Sequence, residues 1–418
     1  KKSLKNSKHT RVVLTNFIQH AVDNDLSLKK SLTPLKFKKT TRELIFEDKK
    51  INIAEYKPYE NIIMRGINNV VPGSAFLDKS DDNLFLLSAS GILAYSDLNS
   101  DETKFMQIKN NINDFIGKKQ LDKYEWFSIK DLLIFNGKIY VSYTNEQEEN
   151  CWNTSIIYAD LNYQNLKFEP LFEPNVCIGA YKNVDNTFNS HQSGGRIISL
   201  DEKNLLFSTG DFRNRFHSQD LNSPLGKLLK INLDDKSYSV AALGHRNIQG
   251  LYFDKKNSYI ISTEHGPKGG DEVNLLSLED LGNGDNPPNH GWAISSYGEH
   301  YSDRLSTFLR GATNHYEKYP LYKSHEKYGF VEPIKYYVPS IGISELVPLN
   351  PQKKLYLHTS LKDSSIYLFQ LDQNNIYKNI AKVKVGERIR DVVRFRDKIV
   401  LFLEDTSSVA TIDLKELR

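Results

Sequence analysis

One pattern recurs along most of this 418-residue chain and limits the folds that the chain can adopt. Each copy contains an apolar strand-like run, a turn, a second run rich in Tyr or Phe, a polar break and a third run that ends near a leucine. Helical periodicity is almost absent between these runs, so each copy is expected to form strands. Six copies occupy residues 75–98, 131–161, 195–233, 250–278, 344–371 and 389–414.

Short strands that repeat in this way favour small antiparallel sheets arranged around an axis. The sequence therefore predicts an all-β fold, a six-bladed β-propeller of four-stranded antiparallel blades. A β-sandwich or two stacked β-domains stay open on pattern alone. About 60 residues between Leu278 and Ser340, rich in Tyr, His, Pro and Gly, interrupt the series and are expected to cap or line the central site.

The N-terminal region is predicted to stand apart from the repeats. We expect residues 1–58 to form a basic leader, with a helix at 12–22 and a hairpin at 43–56, and residues 59–418 to form the propeller domain. The chain begins with lysine, so a signal peptide or membrane anchor could have preceded it. Membrane contact is expected only through such an anchor, since no apolar run approaches the roughly 20 residues that span a bilayer.

The charge distribution argues against a nucleic-acid partner. Residues 1–42 carry many Lys and Arg but only Asp23 and Asp25 as acids, and the rest of the chain is mildly acidic. A nucleic-acid-binding domain is expected to show a basic face on its folded part.

The two cysteines, Cys151 and Cys177, exclude a cysteine-based zinc or iron–sulfur site and leave one candidate disulfide. They flank two strand-like runs, 155–160 and 166–172. In a hairpin of these runs, facing residue numbers sum to about 327, and the two cysteines sum to 328. Pairing would indicate an oxidising compartment, while two unrelated buried thiols remain the alternative.

Polar clusters gather at predicted strand ends between residues 190 and 274, where sites are usually built. His191 is a candidate base and Asp211 a carboxylate that could orient it. Arg246 with Asn247 and Gln249 suits a planar, oxygen-rich, anionic ligand. The carbonyls of Gly266-Pro267 are candidate ligands for a hard cation.

Five motifs in this order carry a family resemblance: His191-Gln-Ser-Gly-Gly-Arg, Thr209-Gly-Asp, Gln219-Asp-Leu-Asn-Ser-x-Leu-Gly-Lys, Leu243-Gly-His-Arg-Asn-x-Gln-Gly and Thr263-Glu-His-Gly-Pro-x-Gly-Gly-Asp-Glu-x-Asn-Leu. Together they resemble the soluble PQQ-dependent aldose sugar dehydrogenase (glucose/sorbosone dehydrogenase) family. The resemblance is dense over 189–276, thinner from 332 to the C-terminus and faint before 130. It implies a six-bladed propeller that uses PQQ and Ca²⁺, a sugar substrate, an external quinone or cytochrome as electron acceptor, and a periplasmic or other extracytoplasmic location.

The resemblance also implies roles for individual residues. His191 would be the general base for the C1 hydroxyl of the sugar, supported by Asp211, and Arg246 would polarise the quinone oxygen. The remaining implied cofactor contacts are Asn247, Ser340, Lys362, Arg388 and Arg390, together with His191 and Arg246. The carbonyls of Gly266 and Pro267 would bind the calcium that bridges to PQQ, and Glu272 would be the remnant of a second calcium site.

The sequence departs from the family pattern at three places, and these departures limit how much of the family's function can be inferred for this chain. A glutamine that the family carries before its second blade is absent from Glu125-Trp-Phe-Ser-Ile-Lys130, and the usual Ala-Pro-Ser-Gly reads Gly342-Ile-Ser-Glu345. The tyrosine of the family's Asn-Tyr-Gly-Trp is His290 here. The resemblance therefore predicts oxidation of an aldose to its lactone without predicting which sugar.

Two other functions stay open on the sequence. A propeller that only binds a ligand would have no need of a base, so convergence of His191, Arg246, Lys362, Arg388 and Arg390 on one cavity would distinguish the two. A calcium-dependent, lactonase-like hydrolase would need carboxylates and amides directed at a central metal. The Gly266-Pro267 carbonyls fit that chemistry less well.

Overall fold

The computed structural model describes residues 33–59, 73–99, 102–123, 127–281, 286–301 and 315–417. These residues form an all-β structure of antiparallel sheets with a few single-turn helices. The helix predicted at 12–22 lies outside the described residues. None of the helices in the described ranges has the length and apolar character needed to cross a bilayer.

Three sheets have four strands each, paired in sequence order. The first contains β13 (Gly194–Ser199), β14 (Asn204–Thr209), β15 (Lys227–Asn232) and β16 (Tyr238–Leu243). The second contains β17 (Ile248–Asp254), β18 (Tyr259–Glu264), β19 (Asp271–Ser277) and β20 (Lys335–Tyr337). The third contains β21 (Ile343–Asn350), β22 (Leu355–Ser360), β23 (Ser365–Leu371) and β24 (Tyr377–Lys384).

A five-stranded sheet precedes these in the chain. It contains β7 (Ile129–Phe135), β8 (Lys138–Glu148), β9 (Cys151–Asp160), β11 (Glu169–Phe172) and β12 (Ile178–Gly179). Asn136 and Gly137 both have positive φ in the two-residue turn between β7 and β8, which is the geometry that an Asn-Gly hairpin turn provides.

The remaining strands form one ten-stranded sheet with the order β25-β26-β27-β2-β1-β6-β5-β4-β3, and β10 pairs with β6 beside that path. Its C-terminal strands are β25 (Ile389–Phe395), β26 (Lys398–Leu403) and β27 (Ser408–Asp413). Its N-terminal strands are β1 (Leu35–Phe46), β2 (Lys49–Pro58), β3 (Ala75–Ser80), β4 (Asn83–Ser88), β5 (Leu93–Ser96), β6 (Glu102–Asn110) and β10 (Asn165–Leu166).

The helical segments are short. The α-helical turns are α1 (Lys118–Leu121), α2 (Phe216–Gln219) and α3 (His315–Lys318). The 3₁₀ turns are Ile112–Asp114, Leu278–Asp280, Glu326–Tyr328, Pro351–Lys353 and Leu414–Leu417.

The sheets are arranged as a β-propeller. The strands that begin the repeats contact one another in a closed ring, β3 to β7, β13, β17, β21, β25 and back to β3. Five of the six largest buried apolar clusters among the described residues join strands of neighbouring sheets, and the sixth joins the N-terminal and C-terminal strands of the ten-stranded sheet. A ring of this kind is incompatible with the sandwich alternative.

The N-terminal hairpin belongs to the propeller, which corrects the expectation that residues up to 58 lie outside the repeats. β1 pairs with β2 from Phe37–Pro58 to Phe46–Lys49, and β2 pairs with β27 through Ala54–Thr411 and its neighbours. β27 would otherwise present an unpaired edge, and covering that edge with a strand from the other end of the chain closes the sheet.

The predicted cysteine pairing is confirmed. β9 pairs with β11 through Tyr158–Glu169, in the register expected from the sequence. Cys151 and Cys177 form a disulfide with Cα atoms 5.3 Å apart. The bridge fastens the chain after β11 to the start of β9.

Candidate active site

A cavity of about 670 Å³ lies where loops from several sheets meet. Among the predicted site residues, nine line it: His191, Arg246, Asn247, Gly266, Pro267, Ser340, Lys362, Arg388 and Arg390. The five residues whose convergence was expected to distinguish an enzyme from a propeller that only binds a ligand therefore line one cavity. They are His191, Arg246, Lys362, Arg388 and Arg390. Asp211 lies buried behind the cavity wall, and Glu272 lines a smaller pocket next to it.

The loop that carries His191 is fixed by its own backbone. The backbone N–H of His191 donates to Oδ1 of Asn189 (2.8 Å), and the N–H of Phe212 donates to the carbonyl of Gln192 (2.8 Å). A Cβ atom on Gly210 would lie 2.0 Å from the Gln192 carbonyl oxygen, so only glycine allows the two segments to approach this closely. The partly buried His191 side chain is thereby held at the cavity wall.

Asp211 is fully buried, and three groups donate hydrogen bonds to its carboxylate. Its Oδ2 accepts a hydrogen bond from the indole N–H of Trp292 (2.7 Å), and its Oδ1 accepts one from the N–H of Arg213 (2.8 Å). With its side-chain amide oriented to satisfy both neighbours, Gln192 donates to Oδ1 of Asp211 and accepts from Nη2 of Arg246, each at 2.9 Å. Burial raises the pKa of Asp211 to about 6, although the charge of Arg246 and the Trp292 hydrogen bond oppose the shift.

Arg246 and Asn247 are positioned from below by a buried carboxylate. Glu264 accepts hydrogen bonds from the backbone N–H groups of both residues. Nη1 of Arg246 donates to the carbonyl of His265 (2.7 Å), while its guanidinium lies 5.5 Å from the Trp292 ring centre. Oδ1 of Asn247 accepts from the N–H of Gly194 (3.1 Å), which joins this loop to the His191 loop.

The segment with Gly266 and Pro267 is held by Asp271. Oδ1 of Asp271 accepts from the N–H of Gly266 (3.2 Å), and its Oδ2 accepts from the N–H groups of Gly342 (2.7 Å) and Ile343 (3.1 Å). The hydroxyl of Ser340 lies 3.4 Å from the carbonyl oxygen of Pro267. One carboxylate thus ties the two-carbonyl turn to the segment that carries Ser340.

Two arginines share one carboxylate on the opposite wall. Nε of Arg390 donates to Oε1 of Glu404 (2.7 Å), and Nε of Arg388 donates to Oε2 (2.9 Å). Burial alone would raise the pKa of Glu404, but the two guanidinium charges outweigh it and lower that pKa to about 2. Glu404 therefore stays ionised and fixes both guanidinium groups. Nη1 of Arg390 also donates a hydrogen bond to the side chain of Gln249 (3.2 Å). Lys362 is exposed at the rim.

Arg196 forms the floor below these residues and contacts strands around the whole ring. Its Nη1 lies 3.0 Å from Asp131, 2.9 Å from Glu345 and 2.9 Å from Asp391. Its other contacts are the Gln249 carbonyl (2.6 Å), the Arg390 carbonyl (3.4 Å) and the ring of Phe76 (5.2 Å). With its own strand β13, Arg196 reaches β3, β7, β17, β21 and β25, so one buried side chain holds together the strands that carry the site.

Several site residues were not predicted, although Glu264 and Trp292 lie within sequence motifs of the family. Glu264, Glu404 and Trp292 act through contacts between distant segments, and Arg213, Lys268, Glu299 and Tyr301 line the cavity from loops. The interrupting segment between the fourth and fifth repeats contributes Tyr297, Glu299 and Tyr301, as expected for a segment that lines the site. Glu125, from the departing motif, lies outside the described residues.

The lining is strongly cationic. Among the described lining residues, six carry a guanidinium or ammonium group and two carry a carboxylate: Arg213, Arg246, Lys268, Lys362, Arg388 and Arg390 against Asp271 and Glu299. The ring of sheets and this cavity define a β-propeller with a central site for an anionic ligand.

The chain belongs to the glucose/sorbosone dehydrogenase family, whose model matches residues 134–412. An uncharacterized protein of Synechocystis sp. is 28% identical over 243 residues, which cover 51% of this chain and 54% of that relative. The aldose sugar dehydrogenase YliI of Escherichia coli is 24% identical over 293 residues, which cover 65% of this chain and 71% of the relative. The match thus spans about half the length of the cyanobacterial relative.

Solved structures show the same fold. The apo form of the soluble aldose sugar dehydrogenase of Escherichia coli superposes with a TM-score of 0.60 at 16% identity, covering 81% of this chain and 95% of that chain. The PQQ-bound aldose sugar dehydrogenase of Streptomyces coelicolor superposes with a TM-score of 0.56 at 15% identity, covering 90% and 98%.

Proposed function

We propose that this protein is a PQQ- and Ca²⁺-dependent dehydrogenase that oxidises an aldose-type sugar at C1 to the lactone, on a propeller of six blades. The observation that carries the proposal is the joint lining of one cavity by His191, Arg246 and the cationic group of Lys362, Arg388 and Arg390. A base has a use there only if a proton is removed from a bound substrate.

The lining fits PQQ, a planar tricarboxylate. Arg388 and Arg390 are held by Glu404 through their Nε atoms, and Nη1 of Arg390 also donates to Gln249, which leaves the terminal nitrogens of Arg388 and Nη2 of Arg390 as donors for carboxylates. Lys362 adds a third positive charge at the rim, and the Asn247 amide and Ser340 hydroxyl add neutral polar contacts. The six blades correspond to the closed ring of β3, β7, β13, β17, β21 and β25, with β2 completing the last blade.

The donor set beside Arg246 fits a calcium ion. Gly266 and Pro267 offer backbone carbonyl oxygens at the cavity wall, and carbonyl oxygen is a ligand type that Ca²⁺ accepts in flexible geometry. The Ser340 hydroxyl lies beside the Pro267 carbonyl, so this wall presents several oxygens close together. These residues would hold the ion.

When bound, PQQ supplies a two-electron acceptor for hydride and Ca²⁺ withdraws charge from its accepting carbonyl. His191 takes the proton from the C1 hydroxyl as that hydride leaves. Arg246, held by the His265 carbonyl and by Gln192, directs a fixed positive charge at the developing oxyanion. Asp211, linked to Arg246 through Gln192, fixes the orientation of that guanidinium and supports His191 electrostatically.

We also propose an electron acceptor and a cellular location for the reaction. The electrons would pass to an external quinone or cytochrome. The Cys151–Cys177 disulfide supports a periplasmic or other extracytoplasmic location, because disulfides persist in oxidising compartments.

Reconstitution tests this function. The chain is loaded with PQQ and Ca²⁺, and an aldose panel is assayed with an artificial electron acceptor. Saturable dye reduction with lactone formation supports the proposal. Tight PQQ binding without turnover on any aldose would instead identify a ligand-binding module, and lactone hydrolysis without PQQ would identify a hydrolase.

A further inference from the structure

Two buried carboxylates face each other behind the cavity. Glu264 on β18 and Glu272 on β19 are direct partners in the antiparallel ladder, and both are almost fully buried. Like charges placed directly opposite each other in a sheet are destabilising, and buried carboxylates need compensating charge. This pair therefore needs positive charge close by or a proton on one carboxyl, and burial raises the pKa of Glu272.

A buried histidine lies beside each of the two carboxylates. Nδ1 of His245 lies 2.8 Å from Oε2 of Glu264, and Nε2 of His325 lies 3.4 Å from Oε1 of Glu272. Both imidazole side chains are about 2% exposed. A third histidine, His290, stacks on His245 with ring centres 4.5 Å apart, and burial lowers its pKa far below the ordinary value.

His325 lies between two oxygen-bearing groups that could otherwise bind a metal ion, the carboxylate of Glu272 and the backbone carbonyl of His290. Its Nδ1 lies 2.9 Å from the carbonyl oxygen of His290, while its Nε2 faces Glu272. The ring is also packed in place: Tyr297 stacks on it at 5.6 Å, and a Cβ atom on Gly291 would lie 3.0 Å from its Nδ1. The imidazole thus lies between a carboxylate and a carbonyl oxygen, with a hydrogen bond at Nδ1 and a contact of ion-pair length, but no hydrogen bond, at Nε2.

We propose that His325 takes the place of a second calcium ion, so that the interrupting segment is fastened to β19 by a side chain and the protein holds no metal at Glu272. Under this proposal Glu272 is not a metal ligand, in contrast to the role that the family resemblance implies. Its other oxygen is approached by the Asn274 amide at 3.3 Å, and no group of three or more His, Cys, Asp or Glu in the described ranges is arranged to hold a metal ion.

The attachment matters for the cavity. His325 lies on the segment that leads to β20, and its backbone N–H donates to Glu332 (2.9 Å). The small pocket lined by Glu272 and His325 also has Arg246, His265 and Gly266 in its wall. His325 therefore supports the turn proposed to hold the cofactor-linked calcium from behind.

The first test counts calcium in the unmodified chain. Full-length protein is saturated with Ca²⁺, with and without PQQ, exchanged into metal-free buffer and analysed for bound calcium. We expect at most one ion per chain, present only with PQQ; this part rests on the proposed function. A second ion per chain overturns the proposal, whereas loss of the dehydrogenase function alone would reduce the count to zero.

The second test is a double-mutant cycle on the cofactor-free chain, so a failed dehydrogenase assay does not affect it. His325→Ala should lower the melting temperature because it leaves Glu272 buried without its partner. Adding Glu272→Gln to His325→Ala should recover at least half of that loss. A double variant no more stable than His325→Ala overturns the proposal.

His358 provides the matched control. It is a buried histidine whose Nε2 faces the hydroxyls of Tyr337 (2.9 Å) and Tyr377 (3.3 Å) rather than a carboxylate. His358→Ala removes a similar volume, and Glu272→Gln should bring no recovery in that background. Equal recovery in both backgrounds would mean that Glu272→Gln stabilises the fold generally, which also overturns the proposal.

Discussion

Trp292 donates its indole N–H to Asp211 over 2.7 Å, and this bond joins the interrupting segment to the end of β14. The same ring lies below the guanidinium of Arg246, and Gln192 completes the link from Asp211 to Arg246. A residue outside the predicted set thus controls the charge and position of two residues within it.

The Asp211 carboxylate should set an acid limit on activity. Its pKa is raised to about 6 by burial, so the ionised form that supports Arg246 and His191 is lost below that pH. Trp292→Phe keeps a ring but removes a hydrogen bond to the charged form, and should shift the acid limb of kcat/KM upward by about one pH unit. Asp211→Asn should abolish this limb. An unchanged limb in Trp292→Phe would assign it to another group.

His191→Gln should abolish turnover and leave PQQ bound. In the proposed reaction the side chain acts on the proton of the substrate, while Lys362, Arg388 and Arg390, which line the same cavity, would supply most of the charge that holds the cofactor. The expected loss in kcat is about 10²- to 10⁴-fold, the usual contribution of a positioned base. PQQ affinity is measured in parallel by absorbance titration. A variant that loses PQQ but turns over normally when saturated would contradict the role of His191.

Chelation of calcium should release PQQ together with activity. If the carbonyls of Gly266 and Pro267 share the ion with the cofactor, each ligand raises the affinity of the other by the same factor. Ca²⁺ without PQQ should restore no activity, and Mg²⁺ should substitute poorly because it demands shorter, octahedral contacts. Equilibrium dialysis with EDTA measures both losses. Retention of active PQQ after exhaustive chelation would leave polarisation to Arg246.

Reduction of the Cys151–Cys177 disulfide should destabilise the chain. The bridge closes a loop with a sequence separation of 26, for which the unfolded-chain entropy model gives about 3 kcal/mol. Denaturant unfolding with and without reducing agent measures the difference. The double variant Cys151→Ser/Cys177→Ser should unfold at the same denaturant concentration under both conditions. Two free thiols by mass under non-reducing conditions would remove the basis for this prediction and weaken the extracytoplasmic assignment.

The repeats could be located from sequence because each one is a series of short apolar runs separated by turn residues. All six predicted segments begin and end within two residues of the first and third strands of their sheets, as for 389–414 against β25 to β27. Most fourth strands were not predicted; the exceptions are β11, which lies in the run 166–172, and β2, which overlaps the hairpin 43–56 but was not expected to join the last sheet. β20 has only three residues and β2 comes from the other end of the chain, so neither shows a local signal next to its sheet.

The residues that face the cavity could be found because their motifs are contiguous, as in Arg246-Asn247 or Gly266-Pro267. Their supports could not. Glu404 is 14 residues from Arg390, and Trp292 is 81 residues from Asp211, so each contact exists only after the sheets have formed a ring. Glu272 shows a further limit: its motif position indicated the carboxylate, but the approach of His325, 53 residues away along the chain, could not be read from the sequence.

The floor of the cavity should make the stability of the fold depend on pH. Glu345 shares Nη1 of Arg196 with Asp131 and Asp391, so three carboxylates face one guanidinium. Burial, which is the largest effect, together with repulsion from Asp391 and Asp131, raises the pKa of Glu345 to about 8 against the attraction of Arg196. The folded state therefore favours the protonated form of Glu345 more than the unfolded chain does.

The direction in which the free energy of unfolding changes with pH follows from proton linkage. A carboxyl whose pKa is higher in the folded state stabilises the fold most below its unfolded pKa of 4.5, and this contribution is lost as pH rises to about 8. The wild-type free energy of unfolding should therefore fall relative to Glu345→Gln by up to about 1.4 kcal/mol per pH unit across this range, because only the wild type releases the proton. Denaturant unfolding at pH 5, 6, 7 and 8 measures the difference, with the exposed pair Glu43–Lys50 and the variant Glu43→Gln as a control. Parallel pH curves for wild type and Glu345→Gln would show that Glu345 is ionised beside Arg196 throughout.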